Sequence, residues 1–297
     1  MATGLWTAVS GAAAQAQNLD VVANNLANAD TLAFKKDATS FKEYLSTLER
    51  EPAAQEVPRG PIKDKDLHPL DGRDQSFVAM TGTHTNFKQG NLKVTQAPLD
   101  MALDGPGFFE VATPQGIRFT RMGSFKVAAD GRLVTSDGHP VLAAQPGGAP
   151  PPTRAPASLN GLPQAPAPFN PNDPAVTSRY INLRDRGANF SVAETGELYA
   201  GADLIAKLGV SEFADTSKLR KVGSQLFENK DPSANPPISF ASNKTIVHQG
   251  VLETSNVNPI EEMTNLIKAN RLFEHDLKAL KTYGDLLGRE ANDVGKL

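Results

Sequence analysis

The side chains of this sequence that could support catalysis or bind a metal are its histidines and carboxylates. The five histidines are scattered, and no two stand three or four residues apart, the spacing that places two ligands on one face of a helix. Asp100 and Asp104 could form the carboxylate pair of a glycosidase, but alternate carboxylates on a strand usually face solvent. We therefore predict no metal site, no cofactor and no catalytic pair.

Other common catalytic motifs are absent from the sequence. There is no cysteine, which excludes disulfides, thiolate metal ligands and a cysteine nucleophile. No Walker A loop, Gly-x-Ser-x-Gly elbow or GxGxxG fingerprint occurs. Gly105-Pro106-Gly107 is better explained as a turn, because proline lacks the N–H group that a phosphate cradle would use. We predict that the protein is not an enzyme.

The overall composition narrows the class of partner. The chain has 297 residues, 39% of them apolar, which permits one large or two modest domains. A net charge of −3 argues against nucleic-acid binding, which needs a basic surface. No run approaches the roughly 20 apolar residues that span a bilayer. A signal peptide would require a positively charged start, but no Lys or Arg precedes Lys35. We expect neither a membrane-spanning segment nor a cleaved leader.

A heptad repeat runs through the C-terminal part of the chain. The helix that carries it should begin at about Pro259, with Asn258 as its N-cap and Glu261 as a capping-box carboxylate. Position a of the repeat is occupied by Met263, Asn270, Leu277 and Gly284, and position d by Leu266, Phe273, Leu280 and Leu287.

The N-terminal residues carry a similar repeat. One position of this heptad is filled by Leu5, Ala12, Leu19 and Leu26, and the complementary position by Val9, Ala16 and Ala23. Two helices with such narrow apolar stripes are explained if they pack on each other and on copies of themselves. The heptad residues of both helices, except Gly284, are therefore the predicted assembly interface. The alternative is an ordinary helical hairpin within one chain.

The segments between the helices differ in character. Asn and Asp residues after Ala27 favour the end of the first helix. Apolar residues three to four apart between Phe34 and Leu48 predict a short second helix. Residues 51–74 are polar and rich in Pro and Gly, which predicts an extended connector or arm. Residues 146–174 are proline-rich and predict an extended or disordered surface insertion.

The centre of the chain shows strand periodicity, because Leu99, Met101 and Leu103 alternate with polar residues. Strands are predicted at Phe108–Ala112, Ile117–Arg121, Phe125–Val127, Leu133–Thr135, Tyr180–Leu183, Asn189–Val192, Glu197–Ala200 and Leu204–Phe213, the last of them buried. Turns are predicted at Gln115-Gly116, Asp130-Gly131, Asp137-Gly138 and Thr195-Gly196. We expect one antiparallel sheet system interrupted by the proline-rich insertion.

Together these elements predict an α+β fold in which the N- and C-terminal helices pair as a coiled-coil-like domain and the centre is mostly antiparallel β. The predicted regions are the N-terminal helix (1–34), the extended connector (35–77), the β domain with its insertion (78–250) and the C-terminal helix (251–297).

Three groups of residues, at both ends and in the centre of the sequence, form recognisable motifs. The first group, Ala23-Asn24-Asn25-Leu26-Ala27-Asn28, Thr31 and Phe34-Lys35, resembles the N-terminal signature of bacterial flagellar rod and hook proteins. The C-terminal signature is matched by Leu252-Glu253-Thr254-Ser255-Asn256-Val257-Asn258, Glu262-Met263, Leu266-Ile267, Arg271 and Phe273-Glu274. The β motif is matched by Gly107-Phe108-Phe109, Phe119-Thr120-Arg121, Gly123-Ser124-Phe125 and Gly131-Arg132-Leu133-Val134-Thr135.

Two details refine this resemblance. The stretches Arg271–Glu274 and Leu219–Phe227 look more like proximal-rod than distal-rod members of the family. The family usually has glycine before Phe34, where this sequence has Ala33. We therefore expect this turn to use ordinary backbone angles or to be displaced.

The resemblance implies a structural subunit of the flagellar rod, which crosses the periplasm and passes motor torque to the hook. It implies as partners copies of itself, other rod proteins and the flagellar type III export apparatus. Independently, a seam that one subunit cannot bury creates heterologous contacts, and repeating such contacts without closure generates a helical filament. The alternative from another class is a secreted adhesin or surface binding module that uses the β domain.

Overall fold

The computed structural model describes residues 2–46, 75–145, 174–184, 190–239 and 244–294. The chain divides into two compact units. The helical unit comprises Met1–Ala27, Asp37–His84 and Asn258–Leu297, and the β unit comprises Asn28–Lys36 and Thr85–Val257. The predicted connector at 51–74 and most of the proline-rich insertion lie outside the described residues.

The elements follow one another in a helix–strands–helix order. The α-helices are α1 (Ala2–Ala27), the short α2 (Pro174–Thr177) and α3 (Pro259–Val294). The strands are β1 (Asp37–Ser46), β2 (Gln75–Thr85), β3 (Leu92–Val94), β4 (Met101–Asp104), β5 (Phe108–Thr113), β6 (Gly116–Thr120), β7 (Phe125–Val127), β8 (Leu133–Thr135), β9 (Phe190–Val192), β10 (Glu197–Ala200), β11 (Asp203–Lys207), β12 (Val210–Glu212), β13 (Leu219–Lys221), β14 (Leu226–Asn229), β15 (Ile238–Ser239), β16 (Ile246–Gln249) and β17 (Val251–Glu253). The predicted α+β class, with terminal helices and a mostly antiparallel β centre, is confirmed.

In the helical unit, α1 and α3 pack against each other. A Cβ atom built on Gly11 would lie 3.4 Å from Oδ2 of Asp276, so these two positions face each other. Burial continues toward the end of α1 at Val22 and toward the start of α3 at Glu262. The two helices therefore run antiparallel.

The start of α3 agrees with the prediction made from the sequence. Oδ1 of Asn258 accepts a hydrogen bond from the N–H of Ile260 at 3.2 Å, and the Asn258 carbonyl accepts one from the N–H of Glu262 at 3.0 Å. The side chain thus satisfies one of the backbone donors that a helix leaves free at its start. Both the predicted N-cap and the start at Pro259 are confirmed.

The predicted helix between Phe34 and Leu48 is wrong, because this stretch contains β1, which pairs with β2. Residues such as Thr39 and Phe41 favour a pleated strand. The partner strand β2 is distant in sequence, so the spacing within this stretch could not reveal it. In the helical unit β1 packs against α1, where the hydroxyl of Thr39 donates to Oδ1 of Asn18 at 3.0 Å.

The β unit is built around a six-stranded sheet in the order β13-β14-β6-β5-β12-β15. Its centre is the antiparallel β5–β6 hairpin, which runs from Phe109 opposite Thr120 to Thr113 opposite Gly116. Because β12 pairs with β5, the two predicted strand groups share this sheet. Strands β9, β10 and β11 instead form a separate three-stranded sheet, so the expectation of a single sheet system is only partly met.

Two strand predictions need correction. The segment Leu204–Phe213 forms β11 and β12 in different sheets, and the break falls at Gly209, where a Cβ atom would lie 2.7 Å from the carbonyl oxygen of Leu142. Leu204 is 57% exposed, so β11 is not the predicted buried strand. The segment Tyr180–Leu183 makes only isolated bridges, at Tyr180 and Asn182. Strands β7, β8 and β10 begin and end at the predicted residues.

The β unit has a large apolar core. Its main cluster is centred on fully buried side chains from several sheets, among them Met101, Leu103, Phe109, Leu133, Leu198 and Leu208. A second cluster contains Phe108, Phe119, Phe213 and Phe227, whose rings meet edge to face with centroids 4.8 to 5.8 Å apart. Edge-to-face pairs are the arrangement that aromatic quadrupoles favour.

The turn at Ala33 departs from the expectation of ordinary backbone angles. Ala33 has φ 54°, in the left-handed region, and its N–H donates to the carbonyl of Glu253 at 2.9 Å. A non-glycine residue in this region carries about 1–2 kcal/mol of strain. Ala33 is also 1% exposed, so burial and the hydrogen bond to Glu253 hold this non-glycine residue in the left-handed region.

Candidate assembly interface

Each long helix has a row of residues that the chain itself covers. On α3 this inner row advances by alternating four and three residues through Glu262, Leu266, Ala269, Phe273, Asp276, Leu280 and Tyr283. On α1 the inner row contains Ala12, Gln15, Leu19, Val22 and Leu26. All of these residues are buried or half-buried. The helices therefore meet along rows that have heptad spacing.

The outer row of α3 begins with large apolar side chains in water. Ile260, Met263 and Ile267 are 77%, 52% and 54% exposed. The row then continues through exposed Asn270, Arg271, Glu274 and Leu277. Single exposed apolar residues are normal on a monomer, but consecutive ones on a single helix face indicate a contact surface.

The outer row of α1 is also apolar and nearly without charge. Trp6 is 58% and Val9 40% exposed. The row continues through Ala13, half-buried Ala16, Asp20 and Ala23, of which Asp20 is the single charged residue of the helix. Depletion of charge together with an exposed tryptophan is typical of the centre of a protein interface.

The predicted heptad residues divide between the inner and outer rows. Inner positions hold Leu266, Phe273 and Leu280 of α3 and Ala12, Leu19 and Leu26 of α1. Outer positions hold Met263, Asn270 and Leu277 of α3 and Val9, Ala16 and Ala23 of α1. The side chains of Leu5 and Leu287 lie outside the described part of the chain. Sequence reasoning missed Trp6, Ile260 and Ile267, which a heptad in the neighbouring phase would have found.

The family-motif asparagine Asn25 fixes the start of β1 inside the helical unit. Its Nδ2 donates to the carbonyl of Asp37 at 2.8 Å, and its Oδ1 accepts from the N–H of Asp37 at 3.0 Å. The buried side chain therefore replaces a strand partner by bonding both backbone groups of one residue. Its neighbour Asn24 is exposed, and Asn28 accepts a hydrogen bond from the hydroxyl of Thr31.

A second motif asparagine, Asn256, lies in the β unit and joins three segments. Its Oδ1 accepts from the N–H of Lys36 at 2.7 Å, and its Nδ2 donates to the carbonyls of Asn86 and Lys88 at 2.8 and 2.9 Å. Next to it, Oγ of Ser255 accepts from the N–H of buried Val257 at 3.2 Å. We call the segments 33–36, 86–90 and 253–256 the three-segment junction.

A buried ion pair closes this junction. Nζ of Lys35 lies 2.6 Å from Oε1 of Glu253, and both side chains are 0% exposed. The same Oε1 accepts from the N–H of Gly90 at 2.8 Å, and Nζ also donates to the carbonyl of Lys88 at 2.8 Å. The guanidinium of Arg121 lies 3.6 Å from the second oxygen of Glu253. Burial lowers the pKa of Lys35, and the charge of Glu253 opposes that shift.

Gly90 shows how tightly the junction is packed. A Cβ atom at this position would stand 2.1 Å from the carbonyl oxygen of Thr254. Any side chain would therefore push two of the three segments apart. Sequence reasoning quoted Lys35, Arg121 and Glu253 as parts of family motifs, but nothing in their spacing indicated that they meet.

Three family models match: the flagella basal body rod protein model at residues 5–35, the flagellar hook protein FlgE/F/G D1 domain at 102–200 and the flagellar basal body rod FlgEFG protein C-terminal model at 248–294. The chain is 30% identical to the flagellar basal-body rod protein FlgG of Buchnera aphidicola subsp. Baizongia pistaciae, over 97% of this chain and 98% of that protein. This chain belongs to the flagellar basal-body rod protein family.

Two further relatives, one named FlgG and one named FlgF, are similar to this chain to nearly the same degree. The FlgG protein of Borreliella burgdorferi is 29% identical over 97% of each chain, and the FlgF protein of Caulobacter vibrioides is 29% identical over 100% of each chain. Because the identities are nearly equal, they do not separate the proximal-rod type, FlgF, from the distal-rod type, FlgG. The preference for the proximal type stays a prediction. The comparisons do not support an adhesin.

The matched regions of this rod protein contain the structural features described above. The N-terminal match includes the α1 rows and Lys35, and the C-terminal match includes Glu253, Asn256 and the α3 rows. Arg121 lies in the D1 match. The motif residues Arg271 and Glu274 are both exposed on the outer side of α3.

The described residues of this rod protein contain neither a candidate membrane-spanning helix nor a candidate metal cluster. None of their helices is both long and apolar enough to cross a membrane. Across the same residues, His, Asp and Glu side chains form no group of three that could hold a metal ion.

Proposed function

We propose that this protein is a structural subunit of the rod in the bacterial flagellar basal body, which polymerises through its terminal helices into a helical tube. In this role it transmits motor torque to the hook, contributes to flagellar motility and performs no catalysis. The rod proteins that resemble it along almost their whole length support the assignment.

The observation that carries the assembly mechanism is the pair of outer rows. Each helix uses its inner row within the chain, so the exposed apolar residues Trp6, Ile260, Met263 and Ile267 remain to be covered by other subunits. Burying such side chains stabilises a contact by about 1.5–3 kcal/mol each. A contact between unlike faces that does not close into a ring continues as a helical filament.

The spacing of the rows supports a coiled-coil-like arrangement in the assembled tube. Inner rows would pair the helices of one subunit, while outer rows with the same heptad steps would pair helices of neighbouring subunits. By its family, the subunit would reside in the periplasmic rod, contact other rod proteins and reach them through the flagellar type III export apparatus.

The test is a charge placed in the outer row. Met263→Asp should leave the chain folded, because Met263 is half exposed and a negative charge near the start of a helix is favourable. In an assembled contact the same unpaired charge would cost several kcal/mol. We expect cells with Met263→Asp as their only copy to export the protein but to lack rods and swimming.

The matched control is His275→Asp, which also adds a negative charge at an exposed position of α3, away from the outer row. It should swim nearly normally. Normal swimming of Met263→Asp, or absence of the labelled subunit from isolated basal bodies of unmodified cells, would remove the proposed function.

A further inference from the structure

Four residues of the α1 outer row match four residues of the α3 outer row in spacing, size and charge. We propose that the outer row of α1 in one copy packs in parallel against the outer row of α3 in a second copy, with Asp20 opposite Arg271. This proposal rests on the proposed function and identifies the two helix faces that meet.

The spacing of the two rows permits one continuous contact. Val9, Ala16, Asp20 and Ala23 advance by seven, four and three residues, and so do Ile260, Ile267, Arg271 and Glu274. Two parallel helices in this register would keep all four pairs side by side, because equal steps turn both rows by equal angles.

The sizes of the facing side chains are complementary. Small Ala16 and Ala23 would face long Ile267 and Glu274. Val9, 40% exposed, would cover Ile260, which at 77% is the most exposed large apolar side chain of the described helices. Alternation of large and small residues across a contact lets helices interdigitate without voids.

Charge selects the register. Asp20 is the single charged residue of α1, and Arg271 is the first cation of the α3 outer row. Both are exposed, and within the described part of the chain neither belongs to a salt bridge. Complementary charges fix the register of an interface because a slipped register leaves them unpaired.

One chain cannot make this contact with itself. Its α1 and α3 run antiparallel, with Gly11 opposite Asp276, whereas the matched register is parallel. Within one chain Val9 and Ile260 are separated by about 27 Å along the helix axis. The proposed contact is therefore made between two copies of the chain, with α1 of one copy on the α3 outer row of the other.

The first test is a charge exchange in cells whose only copy carries the change. Asp20→Arg and Arg271→Asp should each reduce swimming by at least about tenfold, and the double variant Asp20→Arg/Arg271→Asp should restore it to within about twofold. Lys268→Asp, an exposed charge reversal off the outer row, is the control and should swim nearly normally. Purified variants should keep the melting curve of the unmodified protein.

Single variants that swim normally, or a double variant as defective as the singles, would overturn the pairing. If the pairing failed in this way but Met263→Asp still abolished rods, the helices would remain the assembly element. Only the proposed pairing of α1 with α3 in this register would then be wrong. If Asp20 and Arg271 instead paired with a different rod protein, the double variant would not restore either pair and would remain defective. A defective double variant therefore counts against a second copy as the occupant.

The second test uses the natural absence of cysteine. Val9→Cys/Ile260→Cys, oxidised in isolated basal bodies, should form disulfide-linked dimers and larger species, while either single cysteine variant should stay monomeric. The control Gly11→Cys/Asp276→Cys should link only within a chain, because those positions face each other. Assembled rods in which the first pair gives only monomers would contradict the proposal.

Discussion

The β unit and the helical unit treat large apolar side chains in opposite ways. In the β unit Leu103, Phe108 and Phe109 are completely buried. In the helical unit Trp6, Ile260 and Met263 are more than half exposed, although that unit also has a buried inner row. The β unit therefore gains its hydrophobic free energy within one chain, whereas the helical unit gains only part of it before assembly.

The β unit also buries several charged side chains in pairs. The β unit buries the pairs Lys35–Glu253 and Arg179–Glu110, and Glu110 also accepts a hydrogen bond from Ser211. Buried ions are tolerated only when they are paired and hydrogen-bonded, so these groups require a fixed structure around them. Under the proposed function, the β unit supplies most of the stability of the single chain, and the helical unit supplies the contacts between subunits.

The largest effect expected from this comparison is a contrast between two aromatic deletions. Phe109→Ala removes a ring that is 0% exposed and packs 5.2 Å from the ring of Phe125, so the free energy of unfolding should fall by about 3–5 kcal/mol. Trp6→Ala should change it by less than about 0.5 kcal/mol. Denaturant unfolding of the purified chain measures both, and equal losses would break the comparison.

The second prediction concerns the ion pair of the junction. Lys35→Ala removes the nearer cation of buried Glu253 and leaves only the Arg121 guanidinium at 3.6 Å, which should lower the free energy of unfolding by about 3 kcal/mol. Lys218→Ala, at a pair with Asp231 whose side chains are 45% and 51% exposed, should cost less than about 1 kcal/mol. Urea titrations that gave similar losses for the two variants would show that the junction is not a fixed, desolvated site.

The third prediction separates the units. Phe273→Asp places a charge in the half-buried inner row and should destabilise the helix pair by about 2–3 kcal/mol. Hydrogen exchange should then accelerate for amides of α1 and α3 but not for those of β5. Acceleration in β5 would mean that the two units unfold together.

The smallest expected effect is at Ala33. Ala33→Gly relieves left-handed strain but loses a buried methyl group and increases the freedom of the unfolded chain, so stability should change by less than about 1 kcal/mol. Ala33→Val should be clearly destabilising, because a β-branched residue fits this conformation poorly. Thermal melts of the two variants measure the difference; an Ala33→Val protein as stable as the original would show that the turn can move.

Local sequence patterns were sufficient to predict those elements whose structure depends mainly on residues near to them in the sequence. The strands β7 and β8 and the turns at Gly131 and Gly138, with φ 87° and 85°, could be predicted from alternation and from Asp-Gly pairs. The N-cap at Asn258 could also be predicted, because the N–H group that bonds its side chain belongs to Ile260, only two residues further along the chain.

The rest depended on partners that are distant in sequence. The segment around Phe41 has helical spacing, yet β2 makes it a strand. Heptads placed apolar residues at both Met263 and Leu266 but could not show that α1 covers only the second. The meeting of Lys35 with Glu253 requires three segments to fold together, and no single stretch contains that information.

The three-segment junction has a mechanical consequence. The N–H of Ala33 donates to the carbonyl of Glu253, and the N–H of Asn256 donates to the carbonyl of Phe34, so hydrogen bonds cross directly between the two segments. Pulling segment 33–36 away from segment 253–256 would therefore strain these backbone hydrogen bonds, the hydrogen bond from Lys36 to the Asn256 side chain and the Lys35–Glu253 ion pair. A tensile force applied to either segment is thus shared by both, so strain in the N-terminal part of the chain is transmitted directly to its C-terminal part.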